Sequence, residues 1–410
     1  MTRPLTGCRV LDLGIITAGA ATAACLADFG AEVIKIESAS YRDPFRRWLS
    51  PKPIDAADDL PPFFRATNRN KKGLSLDLKQ AAGRAAFLRL VANSDVVVEN
   101  FRRGVMQKLG IDYAALKEAN PDIILASISS QGETGPDAMY VSYGSTLEAV
   151  AGLSWITGYQ GGDPVITGVD MNYPDQVVGL FATSMIVTAW LARKNGKGGA
   201  HLDMSQRELT SFLSGEAFVA ASAGVSPARQ GNADTPFLLQ DCYRAADGEW
   251  LAVTVNDDQQ ARLASLLNDL PGSASASASA SASTLQLDAS LRKWSAARKA
   301  VDAAAALQQA GIAAAKVLNG AEVLQGEGKL WRHALQRLPA GNMVKGFPHQ
   351  FEQAAMEITT DAPFIGGDTV DVLRQVGGFS QEEIAALLAQ GVIEIAPPAP
   401  SSSAAPAALT

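Results

Sequence analysis

Arg9-Val-Leu-Asp-Leu13, an alanine-rich run over 18–29 and Val33-Ile-Lys-Ile-Glu37 follow one another near the start of the chain, and this stretch decides the fold. The outer segments are short and apolar with β-branched residues, the pattern of strands buried on both faces. The middle one is long enough for a helix and rich in the best helix former. Strand, helix and strand make a βαβ unit, which predicts an α/β fold on a parallel sheet. A glycine-bearing turn after the first strand and an acid closing the second are how dinucleotide-binding folds begin. The glycines are Gly14 and Gly19, with Gly30 ahead of the second strand, and no G-x-G-x-x-G spans them. A nicotinamide or flavin site is thus disfavoured, while the nucleotide-type fold is kept. Glu37 reads equally as the acid of such a fold or as a plain strand-end acid.

Working outward, the alternation continues. A strand is expected over 74–79, a helix over 80–92, a strand at Val96-Val-Val-Glu-Asn100, a helix over 113–118 and a strand over 123–128. Ligands of open α/β sheets bind beyond the carboxyl ends of strands, where the turn Phe101-Arg-Arg-Gly104 falls. Residues 43–62 are polar and proline-bearing, an excursion expected to cover something. Arg42, Arg46 and Arg47 cluster there, followed by Arg65-Ala-Thr-Asn-Arg-Asn-Lys-Lys72. In an acidic chain two basic groups suit a ligand with several phosphates, with Arg46, Lys71, Lys72 and Lys79 as candidates. A solvated charged face is the alternative.

Gly168-Val-Asp-Met-Asn-Tyr-Pro-Asp-Gln-Val-Val-Gly179 then leads into an apolar run over 180–190, read as a buried helix. Pro174 suits a first turn, and Asp175 falls where free N–H groups and the positive helix end lie. Asp175 is either a structural cap or a nucleophile held in a dry pocket. A hairpin around Asp247-Gly248 opens a second, smaller domain, with a helix over 291–309 and a last strand over 313–317. Residues 273–283 alternate serine and alanine, a low-complexity insertion. Residues 318–350 show no regularity, and 380–391 read as a helix capped by Ser380 with Glu383. The expected domains are 1–222, 223–330 and a return over 331–396 that rejoins the first, followed by a disordered tail over 397–410.

Composition bounds the function. With 410 residues, 47% of them hydrophobic, two domains are expected, and a net charge of −7 argues against a nucleic-acid binder. Three separated cysteines predict a reducing compartment, and three unpaired histidines predict no metal site. No signal-like apolar stretch opens the chain and no run is read as a membrane span, so a soluble cytoplasmic protein with no membrane partner is expected.

Several of these segments together carry a resemblance: Arg9-Val-Leu-Asp-Leu13 with Ala18-Gly19, Gly30-Ala-Glu-Val-Ile-Lys-Ile-Glu37, Asn68-Arg-Asn-Lys-Lys72, Leu76-Asp-Leu-Lys79, Glu99-Asn-Phe-Arg-Arg-Gly104 and Asp175-x-x-x-Gly179. In this order the chain, from Gly7 to about Ile393, resembles the class III coenzyme A transferases of the CaiB-BaiF type. Formyl-CoA transferase belongs to them and the α-methylacyl-CoA racemases are related. The resemblance implies a Rossmann-like large domain built from both chain ends, a smaller α+β domain, and an interlocked ring dimer of identical chains or of homologous subunits. It implies contacts to CoA from Thr17, Ala18, Leu76, Asp77, Leu78, Lys79, Asn100, Phe101, Arg102, Lys108, Tyr140, Tyr143 and Gly144, and catalysis by Asp175. Acyl-CoA and a carboxylic acid would be the substrates, with no permanently bound cofactor and no metal. Ile15 and Ser38 stand where formyl-CoA transferase has histidine and arginine, and Arg103 replaces the usual proline. Charge missing at Ser38 is expected from Arg42, Arg46 or Arg47. The family's glycine-rich flap has no counterpart, which disfavours formate and oxalate. In the implied mechanism Asp175 forms an aspartyl anhydride and then an aspartyl-CoA thioester, with helix N–H groups expected to keep its carboxylate ionised. A racemase needs a histidine where Tyr143 stands.

Overall fold

Six short strands, β1 (Arg9–Asp12), β2 (Glu32–Glu37), β3 (Lys71–Ser75), β4 (Val96–Glu99), β5 (Ile124–Ser129) and β6 (Ala200–Ser205), form one sheet. Their order is β3-β2-β1-β4-β5-β6, and every neighbouring pair is parallel. This is the doubly wound dinucleotide-fold order, with its switch point between β1 and β4. The computed structural model describes residues 3–47, 60–167, 171–268, 283–326, 334–338, 343–346, 348, 351–354 and 356–396.

Alternate residues of each strand serve opposite faces, as the pleat requires. Val10, Val33, Val98 and Ala126 pack with Leu26, Val178, Ala182 and Ile186, so the helices Ala18–Asp28 and Tyr173–Lys194 cover one face. Leu11, Ile34, Val97 and Leu125 pack with Phe87, Leu90, Leu116, Leu373 and Ile384, from the helices Ala81–Val91, Tyr113–Ala119, Thr369–Gln375 and Gln381–Ala389 on the other. Each fully buried leucine contributes about 2 kcal/mol. The C-terminal return also closes the free edge of β3. Gly73 N–H donates to Asp368 Oδ2 at 2.7 Å and Ser75 N–H to Thr369 Oγ1 at 3.0 Å. A Cβ on Gly73 would lie 2.3 Å from the Phe364 carbonyl oxygen, so only glycine fits there.

The chain divides into Met1–Leu153, Ile166–Gly215 and Arg332–Thr410 on one hand, and Ser154–Val165 with Glu216–Trp331 on the other. Composition placed the boundary at 222 and missed the excursion of Ser154–Val165. The second unit holds an antiparallel sheet of β7 (Leu239–Arg244), β8 (Trp250–Val255) and β9 (Ala313–Lys316) over a core that includes Leu251, Leu263, Leu291 and Trp294. The helix expected over 291–309 is two, Thr284–Ala296 and Ala300–Gln309. The hairpin turn causes the break: Ala246 N–H donates to the Arg298 carbonyl at 2.8 Å, and Ala300 N–H donates to Asp247 Oδ2 at 3.2 Å. Within 318–350, expected to lack regularity, a helix Gly320–Gln325 and the antiparallel pair β10 (Leu335–Arg337) and β11 (Met343–Lys345) form. Most of the serine-alanine insertion and the whole tail lie outside the described residues. The 22-residue helix Tyr173–Lys194 is long and apolar enough to cross a membrane by length and composition, contrary to the sequence reading. Its Val178, Ala182, Ile186 and Trp190 are spent on the core of the first unit.

The basic clusters require the largest correction. Asp12, Lys35, Glu37, Asp43, Arg46 and Lys71 are each at most 4% exposed. Lys71 Nζ donates to Asp12 Oδ2 at 2.7 Å, to the Ala20 carbonyl at 2.8 Å and to Asn68 Oδ1 at 2.9 Å. Arg46 Nη2 donates to Glu37 Oε2 at 2.6 Å and to the Pro363 carbonyl at 2.9 Å, with its guanidinium over the Phe64 ring. Lys35 Nζ donates to Asp43 Oδ2 at 3.0 Å and to the Gly14 carbonyl. Burial pulls Lys71 down to about 8 with Asp12 opposing; for Lys35 burial pulls the same way, but Asp43, Asp12 and Glu37 outweigh it and hold it above the ordinary lysine value. Arg46 and Lys71 are therefore neither phosphate ligands nor a solvated face. Lys72 pairs with Glu32 at 2.7 Å on a half-exposed edge. The strand expected over 74–79 begins at Lys71 because Asp12 neutralises the charge that hid it, and Leu76 to Lys79 form the turn beyond.

Lys71→Met should cost about 3–5 kcal/mol, because Asp12 is left buried and unpaired. A fall in the urea midpoint reads this, and Asp12→Asn with Lys71→Met should recover most of it. An unchanged midpoint in the single variant would mean that the pair is solvated.

Candidate active site

A cleft of about 790 Å³ opens at the carboxyl end of the sheet, and every strand of that sheet delivers a residue to it. Leu13 follows β1, Ser38 follows β2, Leu76 follows β3, Asn100 follows β4, Ser130 follows β5 and Gln206 follows β6. This is where doubly wound sheets place their ligands. Of the residues singled out in the sequence, Thr17, Ala18, Leu76, Asp77, Leu78, Lys79, Asn100, Phe101, Arg102, Lys108, Tyr140, Tyr143 and Asp175 line it together. Arg46, Lys71, Lys72 and Gly144 do not, and neither do Arg42 and Arg47. Tyr41, Ser129, Ser130 and Gln206 line it without having been singled out. Their signal was their place at a strand end or one residue past it, or, for Tyr41, beside Phe101, whose ring it meets edge-on at 5.9 Å.

The turn after β1 is held by contacts that fix its residue types. A Cβ on Gly14 would lie 2.5 Å from the Gly19 carbonyl carbon, and one on Gly19 would lie 2.8 Å from Asn100 Oδ1. Asn100 occupies that space to clamp the turn: its Oδ1 accepts Ile15 N–H at 2.8 Å and its Nδ2 donates to the Ile15 carbonyl at 3.0 Å. Ile16 sits at φ 60°, a left-handed conformation that costs a β-branched residue about 1–3 kcal/mol. Its N–H donates to Asp43 Oδ1 at 3.2 Å, so the buried charges beneath hold the strained turn. The turn after β4 is held similarly, by Phe101 N–H donating to Glu99 Oε2 at 2.7 Å. Burial pushes the Glu99 carboxyl up to about 7 against hydrogen bonds from Ser127 and Phe101.

The cleft carries cations of a different kind from the buried ones. Among the described residues Lys79, Arg102 and Lys108 make no ion pair, and Arg103 lies 3.9 Å from Glu133. Unpaired cations on a cleft wall suit a multiply charged anion. Gly144 serves packing: a Cβ there would be 2.9 Å from Asn172 Oδ1, so its absence lets the start of the helix Gly144–Val150 meet the residue that opens the Tyr173–Lys194 helix.

Asp175 sits in the first turn of that helix, after Asn172 in a left-handed cap at φ 43°. It is 9% exposed, and among the described residues no hydrogen bond or ion pair reaches its carboxylate. Burial alone pushes its pKa up to about 7. The expectation that helix N–H groups keep it ionised is thus corrected: desolvation wins. The neighbouring Gln176 Oε1 accepts a hydrogen bond at 2.8 Å from Lys345, whose own pKa is lowered first by burial and then by Arg69. A Cβ on Gly179 would meet Ala21 and Thr22 at ordinary contact distance, and the Gly179 carbonyl accepts from Thr183 Oγ1 at 2.7 Å. A buried carboxylate on the wall of a cleft that also holds unpaired cations can act as a nucleophile or as a proton acceptor.

Comparison with known proteins bears on which. Residues 5–369 match the family described as CoA-transferase family III. A probable CoA-transferase of Mycobacterium tuberculosis is 32% identical over 406 residues, covering 95% of this chain and 50% of that protein. The succinate–glutarate CoA-transferase of Agrobacterium fabrum is 35% identical over 268 residues, covering 64% of this chain and 66% of that protein. The chain thus spans between half and two thirds of the length of these curated relatives. A crystal structure of a CaiB/BaiF family protein from Brucella suis, 29% identical, superposes with a TM-score of 0.82 over 92% of this chain and 100% of that one. With the parallel six-stranded sheet shared and the family match running through both units, this chain belongs to CoA-transferase family III.

Proposed function

We propose that the protein is an acyl-CoA:carboxylate CoA-transferase with Asp175 as nucleophile, taking CoA from a donor such as succinyl-CoA and passing it to a carboxylic acid. The observation that carries this reading is the buried carboxylate of Asp175, without a partner among the described residues, in a cleft that also holds Lys79, Arg102 and Lys108. Those cations suit the phosphates of CoA, and the apolar side chains of Leu13, Ile15, Ile36 and Leu78 suit its uncharged parts. Succinyl-CoA as donor follows the relative whose name pairs succinate with glutarate.

In the first step an Asp175 oxygen bonds to the thioester carbonyl carbon, and the C–S bond breaks with its electron pair leaving on the CoA thiolate. The thiolate then attacks the Asp175 carbonyl of the anhydride, releasing the donor acid and leaving an aspartyl-CoA thioester. The acceptor carboxylate repeats the sequence in reverse, so Asp175 is regenerated. No step involves a metal or a resident cofactor. Both intermediates hydrolyse in water, which is why a buried nucleophile suits the chemistry. Racemisation of a 2-methylacyl-CoA would need a second base, and Tyr143, 61% exposed, stands in its place. An interlocked dimer, of identical chains or with a homologous subunit, accounts for the apolar surface that Leu180, Met185, Leu191 and Phe212 leave uncovered in one chain.

The raised pKa fixes the sign of the pH dependence. Only the ionised form of Asp175 attacks, so kcat/KM should fall tenfold per unit as pH drops below about 7. A profile flat down to the ordinary carboxylate range would contradict this nucleophile. Asp175→Asn should lower transfer by a factor on the order of 10³ or more while retaining CoA binding. For the cations, Arg102→Ala and Lys108→Ala should each weaken CoA by about 1–2 kcal/mol, and more at low salt. Lys72→Ala should leave CoA affinity unaltered, and the reverse ranking would relocate the phosphates.

A further inference from the structure

Three helices bring their N-terminal ends to the cleft. The start of Gly144–Val150 meets Asn172, the cap of Tyr173–Lys194, as the Gly144 contact requires. The end of the same helix meets the end of Gln206–Leu213, since Ser211 Oγ donates to the Ala151 carbonyl at 3.2 Å. Phe181 and Phe212 meet edge-on at 6.0 Å, so the Tyr173–Lys194 helix packs against Gln206–Leu213. Tyr143, Asp175 and Gln206, at the starts of these three mutually packed helices, all line the cleft.

Gln206 is 7% exposed, and its Oε1 is buried without a partner. Among the described residues other buried side-chain atoms are also orphaned, but Gln206 is the residue among them that lines the cleft. Its seat is fixed: Ser205 caps the helix through Glu208 N–H at 3.2 Å, and Arg207 N–H donates to the Ser130 carbonyl at 3.1 Å. An orphaned buried amide oxygen is a standing penalty that an apolar residue would not carry, unless a ligand completes it. A half-turn of the carboxamide exchanges Oε1 for Nε2, so either a donor or an acceptor can face the cleft.

We propose that Gln206 is a catalytic residue that binds the acyl oxygen of the group in transit. This rests on the reading of Asp175 as nucleophile. As the Asp175 oxygen bonds to the carbonyl carbon, negative charge develops on the carbonyl oxygen before the C–S electron pair leaves with sulfur. The Gln206 carboxamide N–H donates a hydrogen bond to that oxygen; no proton is transferred. The same contact serves the anhydride when the acceptor acid enters.

Gln206→Met, which keeps length and removes the amide, tests this with succinyl-CoA as the probe. Adduct formation on Asp175 is followed by rapid quench and mass spectrometry, alongside a thermal melt. The variant should form the adduct on the order of a hundredfold more slowly. Its KM for succinyl-CoA should stay within about threefold of wild type. Its melting temperature should be equal or higher, because an orphaned polar group has been replaced by an apolar one. A loss of rate matched by a loss of melting temperature would make Gln206 a structural residue and overturn the proposal. So would an unchanged rate in the variant while wild type forms the adduct. If wild type itself forms no donor-dependent adduct on Asp175, the nucleophile reading falls and this proposal with it.

Discussion

Beneath the cleft lies a block of buried charge, and the site is built on it. Asp12, Glu37 and Asp43 face Lys35, Arg46 and Lys71 in the interior of the first unit, every one at most 4% exposed. Removing charges from water is expensive, and such a set is tolerable only when paired and fully hydrogen-bonded. Here the satisfaction is extensive. Asp12 accepts from both Lys71 and the Gly14 N–H, while Glu37 accepts from Arg46 and from the Asp43 N–H. Asp43 in turn accepts from Lys35 and from the N–H of Ile16 and Phe45. The network reaches from the strand ends of β1 and β2 to the strained turn at Ile16, and through Pro363 it ties in the C-terminal return. It is neutral overall, so it fixes the geometry of the cleft floor without placing a net field on the ligand.

That separation of roles explains how one chain handles charge in opposite ways a few residues apart. Cations under the floor are consumed by carboxylates, whereas Lys79, Arg102 and Lys108 on the wall remain available. Asp175 is the complementary case, a carboxylate with no partner among the described residues and pushed up to about 7 by burial. A poorly solvated carboxylate is a better nucleophile than a hydrated one, and the energetic penalty of holding it is met by the packing of the long helix that carries it. The orphaned amide of Gln206 fits the same logic: stability is forgone at the point where substrate will complete the contact.

Much of this was legible in the sequence, and the residues that were not share a reason. β1, β2 and β4 announce themselves because both faces of each strand carry β-branched or leucine side chains. β3 hides behind Lys71 and Lys72, whose partners Asp12 and Glu32 lie far back in the chain, and no local pattern predicts such a pairing. Arg46, expected as a phosphate ligand, is a core residue because Glu37, nine residues back, and the distant Pro363 carbonyl bind its guanidinium. Thr17, Leu76 to Lys79 and Asn100 to Arg102, which the resemblance implied, meet in one cleft because each follows the carboxyl end of a strand. Gln206 escaped notice because nothing local marks an amide that lacks a partner. The position of Asp175 at a helix start was readable from Pro174 and the apolar run. Its protonation was not, since it depends on desolvation by residues from distant segments rather than on the helix end alone.

The claim that the carboxylate of Asp175 itself carries the group is tested most directly by oxygen tracing. Protein turning over succinyl-CoA with an acceptor acid labelled with heavy oxygen in its carboxylate is digested, and the peptide bearing Asp175 is weighed. An anhydride between acceptor and Asp175 must leave one acceptor oxygen on the aspartate each time CoA is passed on, so the account predicts label at Asp175 that requires both substrates. Turnover with an unlabelled Asp175 would mean that CoA moves without this carboxylate, and would contradict it.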